Sequence, residues 1–277
     1  MATFILIHGS FHAAWNWHKV VPLLEKEGHK AYALDMPGHG LDKQALHTVS
    51  LEDCVQKVLK EIDKIEGEIM LVAHSRNGMV ISQVAEFRPK RISCLVYLAA
   101  YLIPHGKSMM EYAKEDTASL VYQNIHPKVK GERLNKLVPF FKRPLNRKLF
   151  RILASKKQKL HVLDPGVYQK ALYHDCPEEI TELAQVLLSP EPNLPGFEPL
   201  QLTKENYGSI PKCYIECLED RAVSLNLQRK MQGESPCEMI YQLNSSHSPF
   251  FSMPRELVGI LIKASNYSCL ETGINIS

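Results

Sequence analysis

The stretch of sequence that decides the fold is Ile69-Met70-Leu71-Val72-Ala73-His74-Ser75-Arg76-Asn77-Gly78. Its first four residues are an apolar run that predicts a buried strand, and helical spacing follows at once, from Met79 to Phe87. A sharp turn between a strand and a helix, with Ser at its apex, is the arrangement called a nucleophile elbow. We therefore expect the Ser75 hydroxyl at the carboxyl edge of a sheet, with the Arg76 amide and the helix N-terminus aimed at the same point.

The elbow pattern is imperfect, so a second interpretation stays open. Gly-x-Ser-x-Gly is the usual form, because small flanking residues let the strand and helix approach each other. Here Ala73 and Asn77 occupy the flanking positions, and Gly78 comes one residue later. Ala73 is small enough for a close approach, whereas Asn77 is not. An ordinary strand-to-helix turn with Ser75 near the helix start is the alternative.

Strands and helices alternate on both sides of this stretch. Apolar runs predict further strands at 4–7, 31–34, 92–98, 212–217 and 238–243, and helices are predicted at 20–26, from Ser50 onward, at 225–231 and at 254–262. Strands separated by helices indicate a mostly parallel sheet covered by helices on both faces, an α/β fold. Ser50 and Asp53, three residues apart, resemble a capping box at the start of their helix.

The alternation breaks in the middle of the chain. Residues 105–205 are polar and helical in pattern, contain several prolines and show no clear strand. The predicted organisation is therefore an α/β core formed by residues 1–104 and 206–277, with a helical insertion at 105–205 after a core strand. Residues 265–277 are expected to form a loose tail.

Composition and charge limit the classes of function. The chain has 277 residues, of which 45% are hydrophobic and 23% charged, as in globular proteins. No apolar run is long enough to span a membrane, and no basic leader precedes the strand at Thr3, so we expect neither membrane attachment nor a signal peptide. Seven irregularly spaced cysteines predict reduced thiols, and hence a cytoplasmic location.

One segment of the insertion is strongly basic. Residues 128–159 hold 12 Lys and Arg residues against one Glu, although the whole chain carries only +3. The simplest interpretation is a solvated helical face. The alternative is a surface that steers an acidic substrate, or an acidic partner such as a carrier protein. Because the excess is local, a nucleic-acid partner is not expected.

Candidate partners for Ser75 follow the last two predicted strands. A serine nucleophile needs a base and an orienting carboxylate, and in α/β-hydrolases these follow in the order Ser, Asp or Glu, His. Asp220 comes directly after the strand at 212–217, with Glu219 as its nearest rival, and His247 lies in the loop after the last strand. Alternatively, Asp220 only caps its loop by hydrogen bonds to the main chain, and His247 is an exposed residue of a turn.

The loop after the first strand is the candidate for a second oxyanion donor. It reads His8-Gly9-Ser10-Phe11-His12, and Gly9 allows a sharp turn that directs the Ser10 amide towards the nucleophile. His8, His12 and His247 could be taken for metal ligands. The hydrolase interpretation already accounts for them, so neither a metal nor a cofactor is expected.

These motifs resemble a known family. The segments 4–12 and 15–17, then 28–35, Ala99-Ala100, 214–220 and the His247 loop are similar to the plant methylesterase and hydroxynitrile lyase branch of the α/β-hydrolases. The insertion, with its segment 172–176, is more similar to bacterial relatives of that branch. The resemblance implies an α/β-hydrolase fold in which the insertion is a cap over the pocket. It also implies Ser75 as nucleophile, His247 as base, Asp220 as its partner, and the Ser10 and Arg76 amides as oxyanion hole.

Three functions are compatible with this sequence. The first is a serine hydrolase that cleaves a carboxylic ester or thioester of a small molecule, with an anionic or aromatic group among the options, through an acyl-serine. The second is a C–C lyase or retro-Claisen-type enzyme that uses the same three residues as acid and base. Hydroxynitrile lyases of the family carry a Lys after the catalytic His, where this chain has Ser248. The third is an inactive binding protein of hydrolase fold, for which Asn77 is the only support.

Overall fold

The core of the protein is a six-stranded parallel sheet. The computed structural model describes residues 1–128 and 160–271, with 268–271 as backbone only. The strand order is β2-β1-β3-β4-β8-β9, and every neighbouring pair in it is parallel. These strands are β1 (Thr3–Ile7), β2 (Lys30–Leu34), β3 (Ile69–His74), β4 (Ile92–Leu98), β8 (Lys212–Cys217) and β9 (Met239–Leu243). The predicted mostly parallel sheet is confirmed.

Helices cover both faces of this sheet. They are α1 (Val20–Lys26), α2 (Leu51–Ile62), α3 (Gly78–Phe87), α8 (Leu225–Glu234), the short α9 (Pro249–Ser252) and α10 (Pro254–Glu271). Side chains of α2, α3 and α8 join one hydrophobic cluster, and those of α1 and α10 join a second. Alternate residues of β3 supply both clusters, because successive side chains of a strand point to opposite faces: Leu71 belongs to the first cluster and Val72 to the second.

A local sequence signal explains where α2 begins, whereas packing explains where α10 ends. Ser50 accepts from the Asp53 amide while the Asp53 carboxylate accepts from the Ser50 amide, so the predicted capping box is present at α2. The expectation of a loose tail from Ser265 is wrong for the described residues, because α10 continues to Glu271. Ala264 and Ser265 are buried, and this packing extends the helix beyond the predicted end at Ile262.

The insertion holds a small sheet as well as helices. Its helices are α4 (Met109–Ala113), α5 (Leu120–Asn124), α6 (Tyr168–Leu172) and α7 (Glu178–Leu187), and its strands are β5 (Ile125–Pro127), β6 (Leu160–Leu163) and β7 (Glu191–Pro192). The strands form an antiparallel sheet in the order β5-β6-β7. The expectation that this region lacks strands is therefore wrong. Strands of two to four residues are too short to show a periodic pattern.

Two expectations from the sequence, the role of the basic segment and the bounds of the cap, stay untested. The basic segment lies outside the described residues, except for Lys128. The bounds of the cap, 105–205, stay a prediction.

Within the described ranges, no helix combines the length and the apolar character that crossing a bilayer requires.

The sheet register brings the functional candidates to one edge. Ile7 pairs with Ala73, Ala73 with Tyr97, and Cys217 with Leu243. Because all six strands are parallel, the loops that leave them at the carboxyl end emerge side by side. The segments carrying Ser10, Ser75, Asp220 and His247 follow β1, β3, β8 and β9, so all four leave the same edge of the sheet.

Candidate active site

Ser75 stands in a strained turn between β3 and α3. Its φ is 55°, in the left-handed region that residues other than glycine rarely adopt. A single 3-10 turn, Ser75–Asn77, leads from there into the helix. The Tyr101 amide donates to the Ser75 carbonyl at 2.9 Å and so helps to hold the strained conformation. This turn, residues 74–77, is called the elbow below, and it has the predicted strand–turn–helix form.

The elbow is packed against its neighbours too closely for additional side-chain atoms. A Cβ at Gly9, in the loop after β1, would lie 2.6 Å from Nδ1 of His74 and 2.9 Å from Cβ of Ser75. A Cβ at Gly78 would lie 2.6 Å from the Tyr101 carbonyl oxygen. The small residues that the elbow requires are therefore Gly9, from another strand, and Gly78, one position beyond the usual one.

Asn77 has a structural task that a glycine could not perform. Its Nδ2 donates to the His8 carbonyl oxygen at 2.6 Å, and both residues are buried. This bond joins the elbow to the loop after β1. The departure from the Gly-x-Ser-x-Gly pattern is thus compensated within the site, and it no longer argues for an inactive protein.

Asp220 and His247 form a buried hydrogen-bonded pair. His247 Nδ1 lies 2.6 Å from Asp220 Oδ2. Because an ionised carboxylate can only accept, the ring proton lies on Nδ1, which leaves Nε2 as an acceptor. Oδ1 of Asp220 accepts from the amides of Ala222 and Val223, at 2.7 and 2.9 Å. The rival Glu219 is exposed, so the structure pairs the histidine with Asp220.

A second histidine links this pair to the elbow. His74, immediately before Ser75, donates from Nε2 to the His247 carbonyl oxygen at 2.8 Å. The two rings are 4.3 Å apart between centroids. His74 is fully buried, and burial lowers its pKa well below the ordinary value, so the ring is neutral. This contact fixes the main chain of residue 247 relative to residue 75, a role that the sequence did not indicate.

The loop after β1 is held by its own histidines. His8 donates from Nδ1 to the Gly9 carbonyl at 2.8 Å, and its Nε2 accepts from the Met36 amide at 3.1 Å. His12 donates from Nδ1 to the Ser10 carbonyl at 2.7 Å, and its Nε2 accepts from the Tyr173 hydroxyl at 2.6 Å. Burial lowers the pKa of His12 to about 4 and that of His8 well below normal.

Both nitrogens of His8 and of His12 are thus engaged in hydrogen bonds within the protein. Metal ligation requires a free ring nitrogen directed at a shared point. Among the residues that the structure describes, no three His, Cys, Asp or Glu side chains converge in a way that could hold a metal ion. Both histidines instead orient the main chain around Ser10.

The Arg76 side chain points towards the insertion at 105–205, the predicted cap. Its guanidinium forms an ion pair with Glu191 of β7 and donates to the Pro192 carbonyl oxygen at 2.6 Å. Arg76 and Glu191 are both buried. The structure places the Arg76 side chain against the cap strand, on the wall of the cavity described below.

A second part of the cap, residues 172–176, holds the loops that carry Asp220 and His247. The Ser246 amide donates to the Asp175 carboxylate at 2.8 Å, and the Ser246 hydroxyl donates to the Leu172 carbonyl at 3.1 Å. His174 Nε2 donates to the Glu219 carbonyl at 2.9 Å. The cap is therefore bonded to the residues that precede both members of the pair.

One cavity joins these residues. Its volume is about 360 Å³, and Ser10, Ser75, Arg76 and His247 all contribute to its wall. The remaining wall is largely apolar and comes mostly from the cap and from the segments that adjoin it, including Met109, Met110, Val121, Tyr122, Ile125, Leu172 and Pro192. A serine on a strained turn and a histidine paired with a carboxylate, both on the wall of one largely apolar cavity, are an arrangement suited to acyl transfer.

Comparison with known proteins agrees with this geometry. Residues 4–260 match the alpha/beta hydrolase family. Methyl jasmonate esterase 1 of Vitis vinifera is 31% identical over 265 residues, 93% of this chain and 94% of its own. Methylesterase 9 of Arabidopsis thaliana is 29% identical, over 96% of this chain and 99% of its own. A longer chloroplastic Arabidopsis relative, named as methylesterase 11, is 32% identical, and the chain spans 64% of its length.

Solved structures share the fold. Polyneuridine aldehyde esterase superposes with a TM-score of 0.77 at 23% identity, covering 96% of this chain and 99% of its own. Tomato methylketone synthase I, crystallised with 2-tridecanone, superposes with a TM-score of 0.80 at 23% identity, over 96% and 98%. The family match over residues 4–260 and the 31% identity to methyl jasmonate esterase 1 over nearly the whole of both chains show that this protein belongs to the alpha/beta hydrolase family and is an esterase-type hydrolase.

Proposed function

We propose that this protein hydrolyses a small carboxylic ester through an acyl-serine intermediate. Ser75 is the nucleophile, His247 the general base and Asp220 the carboxylate that orients it. The main-chain amides of Ser10 and Arg76 form the oxyanion hole. The observation that carries the proposal is the 2.6 Å bond from His247 to Asp220, on a histidine that shares a cavity wall with the strained Ser75.

The chemistry follows from these positions. His247 Nε2 takes the proton of the Ser75 hydroxyl as Oγ bonds to the ester carbonyl carbon, and the carbonyl oxygen becomes an oxyanion between the two amides. Histidinium then gives its proton to the departing alcohol as the C–O bond breaks. In the second half, His247 takes a proton from water as the water oxygen attacks the acyl-serine carbonyl carbon. It returns a proton to Ser75 Oγ as the C–O bond to the serine breaks, which releases the acid and regenerates Ser75.

The cavity indicates the kind of substrate. A volume of about 360 Å³ lies at the small end of ligand pockets. Its apolar wall favours an acyl part that is aromatic or aliphatic, with a small alcohol such as methanol as the leaving group. The relatives named methylesterases and methyl jasmonate esterase support methyl esters as first candidates. A thioester of similar size remains a second candidate within the same mechanism.

Recognition of an anionic substrate depends on the basic segment 128–159, which lies almost wholly outside the described residues. If that segment steers anions, kcat/KM for an anionic ester falls as salt rises from about 20 mM to about 500 mM, while a neutral ester of similar size changes little. An equal response of the two esters identifies the segment as a solvated face. A carrier-protein partner and a cytoplasmic location stay predictions.

The acyl-enzyme can be tested directly with p-nitrophenyl acetate. We expect a burst of nitrophenolate equal to the concentration of active sites, and an acetyl group on the peptide that contains Ser75 after an acid quench. Ser75→Ala is the matched control: turnover falls by several orders of magnitude, about 10⁶ in a well-studied serine hydrolase. Retention of most activity by a folded Ser75→Ala variant would refute the covalent mechanism.

The same experiment separates the alternatives. A C–C lyase or retro-Claisen enzyme with acid–base use of the same residues gives β-dicarbonyl turnover without acetyl-Ser75. Ser248, buried directly after His247, stands where hydroxynitrile lyases of the family carry Lys. An inactive binding protein gives neither burst nor turnover. The hydrogen bond of Asn77 to His8 removes the one sequence feature that favoured this last alternative.

A further inference from the structure

Phe11, the residue after Ser10, is hydrogen-bonded to the cap through both its main-chain amide and its main-chain carbonyl. Its φ is 67°, a conformation that costs free energy for a bulky residue and persists only when neighbours impose it. The Phe11 amide donates to Oε2 of Glu191 at 2.6 Å. The Phe11 carbonyl accepts from the Ser189 amide at 2.9 Å. Residues 189–191 of the cap therefore fix the strained conformation of Phe11, next to Ser10 in the loop after β1.

The other oxygen of the same carboxylate contacts the second half of the site. Oε1 of Glu191 pairs with the Arg76 guanidinium, and the Pro192 carbonyl accepts a further hydrogen bond from it. His39 Nε2 lies 3.3 Å from Oε2. Glu191 is buried, so water competes little for these partners.

We propose that Glu191 is a positioning residue that holds the Ser10 oxyanion donor in place through its bond to the Phe11 amide, with the Arg76 guanidinium as its counter-ion. One carboxylate, carried by the cap, is bonded to the segment that supplies the Ser10 amide and to the residue that supplies the Arg76 amide. The two segments follow the paired strands β1 and β3 and are also joined by the hydrogen bond from Asn77 to His8; Glu191 adds a contact from the cap to each of them. The inference rests on the proposed function, because it assumes that these two amides receive the oxyanion.

This assignment also explains why a buried arginine follows the nucleophile. An uncompensated guanidinium beside the oxyanion site would be costly to bury. Paired with Glu191, it instead anchors the cap at the point where the transition state forms. The cap then contributes to the rate of the chemical step as well as to the shape of the cavity.

Two double variants isolate the bond to Phe11. Arg76→Leu with Glu191→Gln and Arg76→Leu with Glu191→Leu both remove the buried charge pair, so neither leaves an unpaired ion. They differ in one respect: the Gln carbonyl still accepts from the Phe11 amide, whereas Leu cannot. We expect kcat for p-nitrophenyl acetate to be lower in the Leu variant than in the Gln variant, by on the order of 10²-fold. A difference below about 10-fold would not support the proposal. We expect KM to differ little between them.

Two further measurements separate positioning from simple cap docking. The affinity of a trifluoromethyl ketone, whose hemiketal oxyanion occupies the hole, should fall in parallel with kcat. Glu198→Leu is the matched control, since Glu198 also accepts a main-chain amide, that of Leu51 at 3.0 Å, but does not line the cavity. It should lower the melting temperature without a comparable loss of kcat.

The outcomes are distinct. Equal kcat and equal inhibitor affinity in the two double variants would overturn the proposal, whatever the melting temperatures. A fall in melting temperature alone would make Glu191 a docking residue and would overturn it as well. The proposed function fails separately: full activity in Ser75→Ala removes it, whereas an inactive Ser75→Ala with equal double variants removes only this inference.

Discussion

Replacing Gly9 with Ala should lower the rate while the protein stays folded. The added Cβ would lie 2.6 Å from Nδ1 of His74 and 2.9 Å from Cβ of Ser75, where ordinary contacts begin at 3.4 Å. The loop after β1 must therefore retreat from the elbow by about 0.5–0.8 Å. An oxyanion donor acts at about 2.7–3.1 Å, so the Ser10 amide would move to the limit of hydrogen bonding. We expect kcat to fall by about 10²-fold, and the free energy of unfolding by about 1–3 kcal/mol.

The assay is steady-state hydrolysis of p-nitrophenyl acetate, with urea denaturation on the same samples. Gly233→Ala is the matched control, because it makes the same chemical change on α8 with no atom within 4 Å of the new methyl group. It should leave kcat unchanged and raise stability slightly, by about 0.5–1 kcal/mol. A folded Gly9→Ala variant with kcat within about 3-fold of the parent would refute the argument that this close approach sets the donor distance.

Other changes test the remaining contacts. Asp220→Asn should lower kcat by about 10⁴-fold, because an amide permits the wrong histidine tautomer, and the exposed Glu219→Gln should change it little; the reverse order would mean that the acid is misassigned. Asn77→Ala should cost about 1–3 kcal/mol in urea denaturation, since the His8 carbonyl loses its partner in a buried site; an unchanged midpoint would contradict this. Because burial holds the pKa of His12 at about 4, against about 6.5 in the unfolded chain, only the unfolded state takes up that proton as the pH falls through this window. The ring should therefore contribute about 2 kcal/mol less stability at pH 5 than at pH 8, and His12→Asn should show a smaller loss than the parent; equal losses would exclude His12 as the source.

The sheet, and the edge at which the candidate site residues lie, could be predicted because they depend on local patterns. Buried parallel strands are continuous apolar runs, and one of them ends at Ser75. Once the strands are known to be parallel, the residues that follow them must share one edge, which brings Asp220 and His247 near Ser75. The choice of Asp220 over Glu219 used the same reasoning, and the distance of 2.6 Å to His247 supports it.

The contacts that hold the site together could not be read from the sequence, because their partners are far apart along the chain. Asn77 bonds to His8, 69 positions away, and Arg76 pairs with Glu191 in a strand of two residues. Each bond exists only after the cap or a neighbouring loop has docked. His12 is a similar case: the sequence placed it in the loop after β1 without a stated role, and its ring is held by the Ser10 carbonyl and by the Tyr173 hydroxyl, 161 positions away.

The place of the cap in the chain has a consequence for how the protein is made. β4 pairs with β8, yet residues 99–211 separate them, so about 110 residues are synthesised between the two strands. At about 5–20 residues per second the ribosome needs about 6–22 s for this interval. Throughout it the apolar edge of β4, Ile92–Leu98, has no native neighbour on that side. An unpaired strand edge of this kind invites association with other chains, so the yield of folded enzyme should depend on chaperones that shield the nascent chain until β8 has been made.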